Sequence, residues 1–158
     1  MSMLGPGGAE GKRVLDLYAG TGGLGLEAMR HGAEFAEFVE SDGQRCAVIA
    51  AEAERLGYDD RCRVHRAKVE RVFGRIEGGY DIVFIDPPYA DDPFEDVLGR
   101  LGEEGSVVND GATVFAEHSR RLELEERYGR LVRRSVKNYG DTTVTVFDAA
   151  AVDYQGQK

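Results

Sequence analysis

Two clusters of residues in this chain have the types and spacing to do chemistry. The first is Asp16-Leu-Tyr-Ala-Gly20-Thr-Gly22-Gly23-Leu-Gly25, followed by Glu40. Glycines let a backbone turn sharply and approach a ligand closely. Gly20, Gly22 and Gly25 satisfy the G-x-G-x-x-G spacing of a dinucleotide site, and Glu40 stands where a ribose-binding acid belongs. On that pattern alone, a nicotinamide- or flavin-dependent oxidoreductase fits as well as anything else. Asp16 separates the readings, because a pyrophosphate has no use for an anion four residues before the first glycine. A ligand carrying an α-amino group and a sulfonium does, which points to S-adenosylmethionine. Asp16 is then expected to accept from the amino group, and Glu40 from both ribose hydroxyls. Tyr18, Ala19, Gly20, Gly22 and Ser41 complete the expected cofactor surface.

The second cluster is Asp86-Pro87-Pro88-Tyr89. Two successive prolines stiffen the backbone and remove two N–H donors. The local groups are then acceptors, the Asp86 carboxylate and the Pro87 carbonyl, beside the flat ring of Tyr89. An exocyclic amine on a nucleobase is a poor nucleophile, because its lone pair is delocalised into the ring. Two acceptors aimed at its N–H bonds favour a pyramidal nitrogen, whose localised lone pair can attack a methyl group in line. Tyr89 can stack on the base, an interaction worth ~1–3 kcal/mol. The same logic serves adenine N6 in DNA or a protein glutamine. The bland alternative is a rigid turn whose Asp caps the next helix.

Both clusters need a scaffold that presents strand ends. Arg13–Ala19 and Tyr80–Ile85 are short apolar runs that read as buried strands, and each leads directly into its cluster. Phe35–Glu40, Arg61–Arg66 and Ala112–Glu117 read as further strands, and Leu131–Lys137 with Thr142–Phe147 as a closing antiparallel pair turned by Asn138–Asp141. Helices are expected over Leu24–His31, Asp42–Leu56, Val69–Glu77 and Asp91–Leu101. Alternating strands and helices imply an α/β fold, a mostly parallel sheet covered on both faces. In such sheets ligands bind at the carboxyl ends of strands. One domain over 13–150 is expected, with a flexible leader over 1–12 and a frayed tail over 151–158.

Composition narrows the classes. The 158 residues carry a formal net charge of −9, which argues against a general nucleic-acid binder. The most basic stretch runs from His118 to Lys137 and contains Arg120, Arg121, Arg127, Arg130, Arg133 and Arg134. It reads either as a solvated surface or as a face that meets RNA. Cys46 and Cys62 form no metal-binding spacing, and His31, His65 and His118 form no triad, so no metal is expected. No apolar run approaches the ~20 residues of a membrane span. The expected setting is the cytoplasm, without a membrane partner, and the expected state a monomer.

DLYAGTGGLGLEAMRHGA (16–33), FVESD (38–42), FIDPPY (84–89) and YGDTTVTVF (139–147) resemble, in order, the bacterial RsmD-type 16S rRNA guanine-N2 methyltransferases. The resemblance implies a Rossmann-like class I methyltransferase sheet of seven strands, the last antiparallel. It also implies S-adenosylmethionine as donor and one guanine N2 as target, in 16S rRNA or the assembling small ribosomal subunit. Asp16, Gly20, Gly22 and Glu40 carry over to the cofactor, and Asp86, Pro87, Pro88 and Tyr89 to the base pocket. Methyltransferases often place an acid or Asn near the adenine amine after the third strand. That position falls at Ala67 and Lys68 here, and Lys68 is the candidate.

Overall fold

The computed structural model describes residue 4 and residues 7–151. The rest of the expected leader, and the tail from 152, lie outside the described residues. Two compact units make up the chain, residues 1–76 and 77–158.

The first unit is a three-stranded parallel sheet in the order β3-β2-β1, with helices in the crossovers. β1 is Arg13–Leu17, β2 Phe35–Glu40 and β3 Cys62–Arg66. β1 and β2 are buried nearly throughout, as expected of strands covered on both faces. Between them, α1 (Gly23–Arg30) follows the glycine turn. α2 (Gly43–Arg55) is capped by Asp42, whose side chain accepts from the N–H groups of Gln44 and Arg45 at 2.8 and 3.1 Å. These backbone donors hold the Asp42 carboxyl below its ordinary range. Gly57, at φ 81°, lets the chain leave the helix. Before β1, Ala9 is buried, and the Gly11 N–H donates to the Gly32 carbonyl at 2.9 Å.

The helix expected over Val69–Glu77 does not form. Only a single 3-10 turn occurs, over Val69–Arg71. Gly74 interrupts the segment, Gly78 and Gly79 follow it, and its opening valine and mid-segment aromatic give little helical preference to offset them.

The second unit is a five-stranded sheet in the order β4-β5-β8-β7-β6. β4 (Tyr80–Ile85) runs parallel to β5 (Val108–Ser119). β8 (Thr142–Ala149), β7 (Leu131–Tyr139) and β6 (Arg127–Tyr128) continue antiparallel. The described strands therefore number eight, not seven, and the antiparallel part holds three of them. The added strand is β6, two residues long and too short to leave a periodic signal. β5 starts four residues earlier than its apolar run suggests, because Asn109-Asp-Gly111 forms a bulge inside the strand rather than a turn before it. Gly111 has φ 79°, and the Asn109 amide donates to the Gly79 carbonyl and the Asp81 carboxylate.

α3 starts at Phe94, not at Asp91, with Pro93 as its N-cap. It buries Phe94, Val97, Leu98 and Leu101. Phe84 stacks on Phe115 at 5.5 Å between ring centroids, and Phe94 meets His118 edge-on at 5.7 Å. The β7–β8 hairpin closes on Gly140 and Asp141, with Tyr139 paired to Thr142. Its tip is pinned to the end of β5: the Arg120 N–H donates to the Asp141 carbonyl at 2.9 Å, and its guanidinium to the Gly140 carbonyl.

Candidate active site

In the first unit the candidate residues lie on the loop after β1. Gly20 and Gly22 have φ 61° and 84°, conformations that suit glycine. Tyr18 shares this left-handed region at φ 58°, alone among the described non-glycine residues. Such strain costs ~1–3 kcal/mol and gathers at functional loops. A Cβ on Gly20 would meet nothing within 4 Å, so its outer side is open to a ligand.

Glu40, at the end of β2, is 6% exposed. Its Oε1 accepts from the Gly20 N–H and its Oε2 from the Asp42 N–H, each at 2.8 Å. Two backbone donors thus orient a buried carboxylate, and each oxygen keeps a second lone pair for a diol. That pair of acceptors fits the ribose hydroxyls of an adenosyl group. Cys46 donates its S–H to the Glu40 carbonyl at 3.2 Å, and burial raises its thiol.

Asp16 is 1% exposed, and its Oδ2 accepts from the Gly25 N–H at 2.9 Å. The carboxylate therefore fastens the first turn of α1, a duty the sequence did not disclose. Gly25 is required for space: a Cβ there would lie 2.4 Å from Phe38 Cε1 and 3.1 Å from Asp16 Oδ2. Ala19 donates to the Val39 carbonyl and accepts from Gly22, locking the loop onto β2. Ser41 and Lys68 are both exposed, and Lys68 opens the 3-10 turn after β3.

In the second unit the candidate residues follow β4. Ile85 pairs with Ala116 in the parallel register, so Asp86, leaving β4, stands beside Glu117 of β5. Their carboxyls share a hydrogen bond, and desolvation together with the Glu117 charge raises Asp86 from 3.8 to about 6. Pro87 is buried, and the Pro88 carbonyl accepts from the Asp91 N–H at 2.9 Å, which fixes the corner. Tyr89 is 61% exposed, yet its hydroxyl is hydrogen-bonded to Thr142 Oγ1 at the start of β8. The ring is a tethered, solvent-facing platform. An open cleft of about 430 Å³ lies here, walled by Pro87, Pro88, Tyr89, Phe94, Glu117 and His118.

Glu117 and Thr142 were not among the expected site residues. Glu117 lies near the end of β5, and only its register against β4 brings it to Asp86. His118 is buried, with Nε2 2.8 Å from Thr145 Oγ1 and Nδ1 2.9 Å from the Ser119 carbonyl. Cys46 and Cys62 are free, and burial pushes the Cys62 thiol up to about 11. Among the described residues there is no group of His, Cys, Asp and Glu that could hold a metal ion. Nor is any helix long and apolar enough to cross a membrane.

Parallel strands ending in a glycine turn and an acid, and a closing antiparallel group after an Asp-Pro-Pro corner, define the Rossmann-like fold of class I methyltransferases. Solved structures agree. A conserved hypothetical protein from Streptococcus pyogenes matches with a TM-score of 0.82 and 30% identity, over 89% of this chain and 87% of its own. SMU.776, "a putative methyltransferase complexed with SAH", shares the fold at a TM-score of 0.73 and 18% identity, over 89% of this chain and 46% of that one. The chain belongs to the RsmD-type methyltransferase family, whose model, described as conserved hypothetical protein 95, matches residues 2–148. A relative from Bacillus subtilis (strain 168), "Putative rRNA methyltransferase YlbH", is 35% identical over 149 residues, covering 92% of this chain and 80% of its own.

Proposed function

We propose that this protein transfers the methyl group of S-adenosylmethionine to the exocyclic N2 of a guanine in 16S rRNA, presented by the assembling small ribosomal subunit in the cytoplasm. The observation that carries this reading is the corner after β4, with acceptors at Asp86 and Pro87 beside the tethered ring of Tyr89. The rRNA methyltransferase named among the relatives supports the substrate class, and the SAH-bound neighbour supports the donor.

In this reading Glu40 holds the ribose hydroxyls, the loop from Tyr18 to Gly22 lies against the methionine part, and Asp16 keeps that loop on α1. The bound donor supplies an electrophilic methyl group on a sulfonium. Asp86 and the Pro87 carbonyl accept the two N–H bonds of the guanine amine and keep its lone pair on nitrogen. Tyr89 stacks on the base, which offsets part of the few kcal/mol spent in unstacking it. After transfer, one amine proton passes to the Asp86 carboxylate, and Glu117 holds that acid by hydrogen bond.

The test is transfer of tritiated methyl to 16S rRNA or small-subunit particles, with the modified position mapped. Label in a single guanine, lost in Asp86→Ala while adenosylhomocysteine still binds, is the expected result. Label in DNA or protein alone would overturn the substrate. Thermal stabilisation by NAD but not by adenosylhomocysteine would overturn the donor.

A further inference from the structure

A second cleft of about 700 Å³ adjoins the one at Tyr89, and the two share His118 and Leu122 in their walls. Its rim carries Arg120, Arg121 and Arg133. Its floor is polar: Thr145 Oγ1 meets His118 Nε2 at 2.8 Å, and Thr143 donates to Asn138 Oδ1 at 2.6 Å. The proposed chemistry uses none of these groups.

Three arginines gather on this one cleft of an acidic chain. Arg133 is partly answered by Glu126 at 3.5 Å and by the Leu124 carbonyl, and Glu123 also lines the cleft. Among the described residues Arg120 and Arg121 have no carboxylate partner, a lack they share with Arg71, Arg75 and Arg127, but they stand side by side on one cleft together with Arg133. Both are exposed. Two uncompensated guanidiniums over a floor of hydroxyls and an amide form a surface complementary to phosphodiester oxygens, which guanidinium binds in a fork. A base held at Tyr89 must carry its backbone past the cleft's edge, and the shared wall at His118 and Leu122 puts the basic cleft next to that path.

We propose that the Arg120–Arg121 cleft binds the RNA backbone phosphates flanking the target guanine. This rests on the reading of the protein as an rRNA base methyltransferase. The basic stretch then acts on a particular part of the substrate, and a chain of net charge −9 holds RNA through a local positive surface.

The test measures binding of transcribed 16S rRNA by anisotropy across salt concentrations. It compares the wild type with Arg121→Gln, Arg120→Gln/Arg121→Gln and a distant control, Arg55→Gln. Each lost phosphate contact lowers the slope of log affinity against log salt by ~0.7 for single strands, which amounts to about fivefold in affinity near 0.1 M salt. Arg121→Gln is expected to lose one such step and the double variant about two. Arg55→Gln should lose none, and adenosylhomocysteine affinity should not change in any variant. Wild-type slope in the double variant, with RNA still bound and methylated, would overturn this cleft as the backbone site and leave the methyltransferase reading intact. No salt-dependent RNA binding by the wild type, with methyl transfer to another substrate, would overturn both.

Discussion

Asp86 sets the behaviour of the site at the residue scale. The residue is exposed, yet partial desolvation of its carboxyl and the neighbouring Glu117 charge raise it to about 6, so the carboxylate that can take up the amine proton predominates only above that pH. Methyl transfer is therefore expected to fall as pH drops through about 6, although an ordinary aspartate holds its charge down to about 4. Glu117→Gln removes the like charge, so the acidic limb of the pH–rate profile should move toward 4. A limb unmoved by this change would show that another group sets it. Stability follows with its own sign. Between 3.8 and about 6 the folded protein binds a proton at Asp86 that the unfolded chain has released, so this group's contribution weakens as pH rises through that window. Above pH 7 Glu117→Gln is expected to melt higher than wild type, by calorimetry. Both clusters were legible from residue types because their chemistry is local to a few adjacent positions. Glu117 was not, since a glutamate near the end of a strand looks like any other until the β4–β5 register places it.

At the scale of elements, two glycine and arginine contacts decide whether pieces of the fold can form. Gly25→Ala drives a methyl into Phe38 and crowds Asp16, and overpacking of this kind costs ~1–3 kcal/mol. The expected signature is a lower Tm together with weaker adenosylhomocysteine binding, because Asp16 loses its hold on the loop. Arg130, 3% exposed, donates to the carbonyls of Ala150 and Glu103 and to Asp110 at 2.8 Å. Arg130→Ala leaves these acceptors short of a donor, and a loss of ~2–4 kcal/mol is expected in urea denaturation. The long apolar strands and the capped helix α2 were readable because period and cap agree. The helix expected after Lys68 failed where glycines outweighed its apolar pattern. β5 ran past Asn109-Asp-Gly111 because a bulge uses the same residues as a turn.

At the scale of the whole molecule, stability comes from packing rather than covalent ties. Both cysteines are free, the Cys62 thiol is raised to about 11, and Cys46 is held against the Glu40 carbonyl. Reductant is expected to leave Tm unchanged, and iodoacetamide to modify the folded protein far more slowly at pH 7 than the urea-unfolded chain. Rapid labelling of the native protein would contradict the partial burial and raised pKa of these thiols. The overall α/β class followed from alternating elements, whereas the size of the antiparallel group did not, because a two-residue strand such as β6 gains its identity only by pairing with β7.

The pinned tip of the β7–β8 hairpin also bears on where this protein tolerates additions. Gly57 and Gly105 sit in turns where a Cβ meets nothing within 4 Å, so an epitope or fluorescent label spliced at either point has room to leave the surface. Gly140 has the same free space but is the wrong place for a splice. Lengthening that turn would pull Asp141 away from Arg120, and with it Thr142, which holds the ring of Tyr89. A labelled protein meant to keep its activity should carry its tag on the first two loops and never on the third.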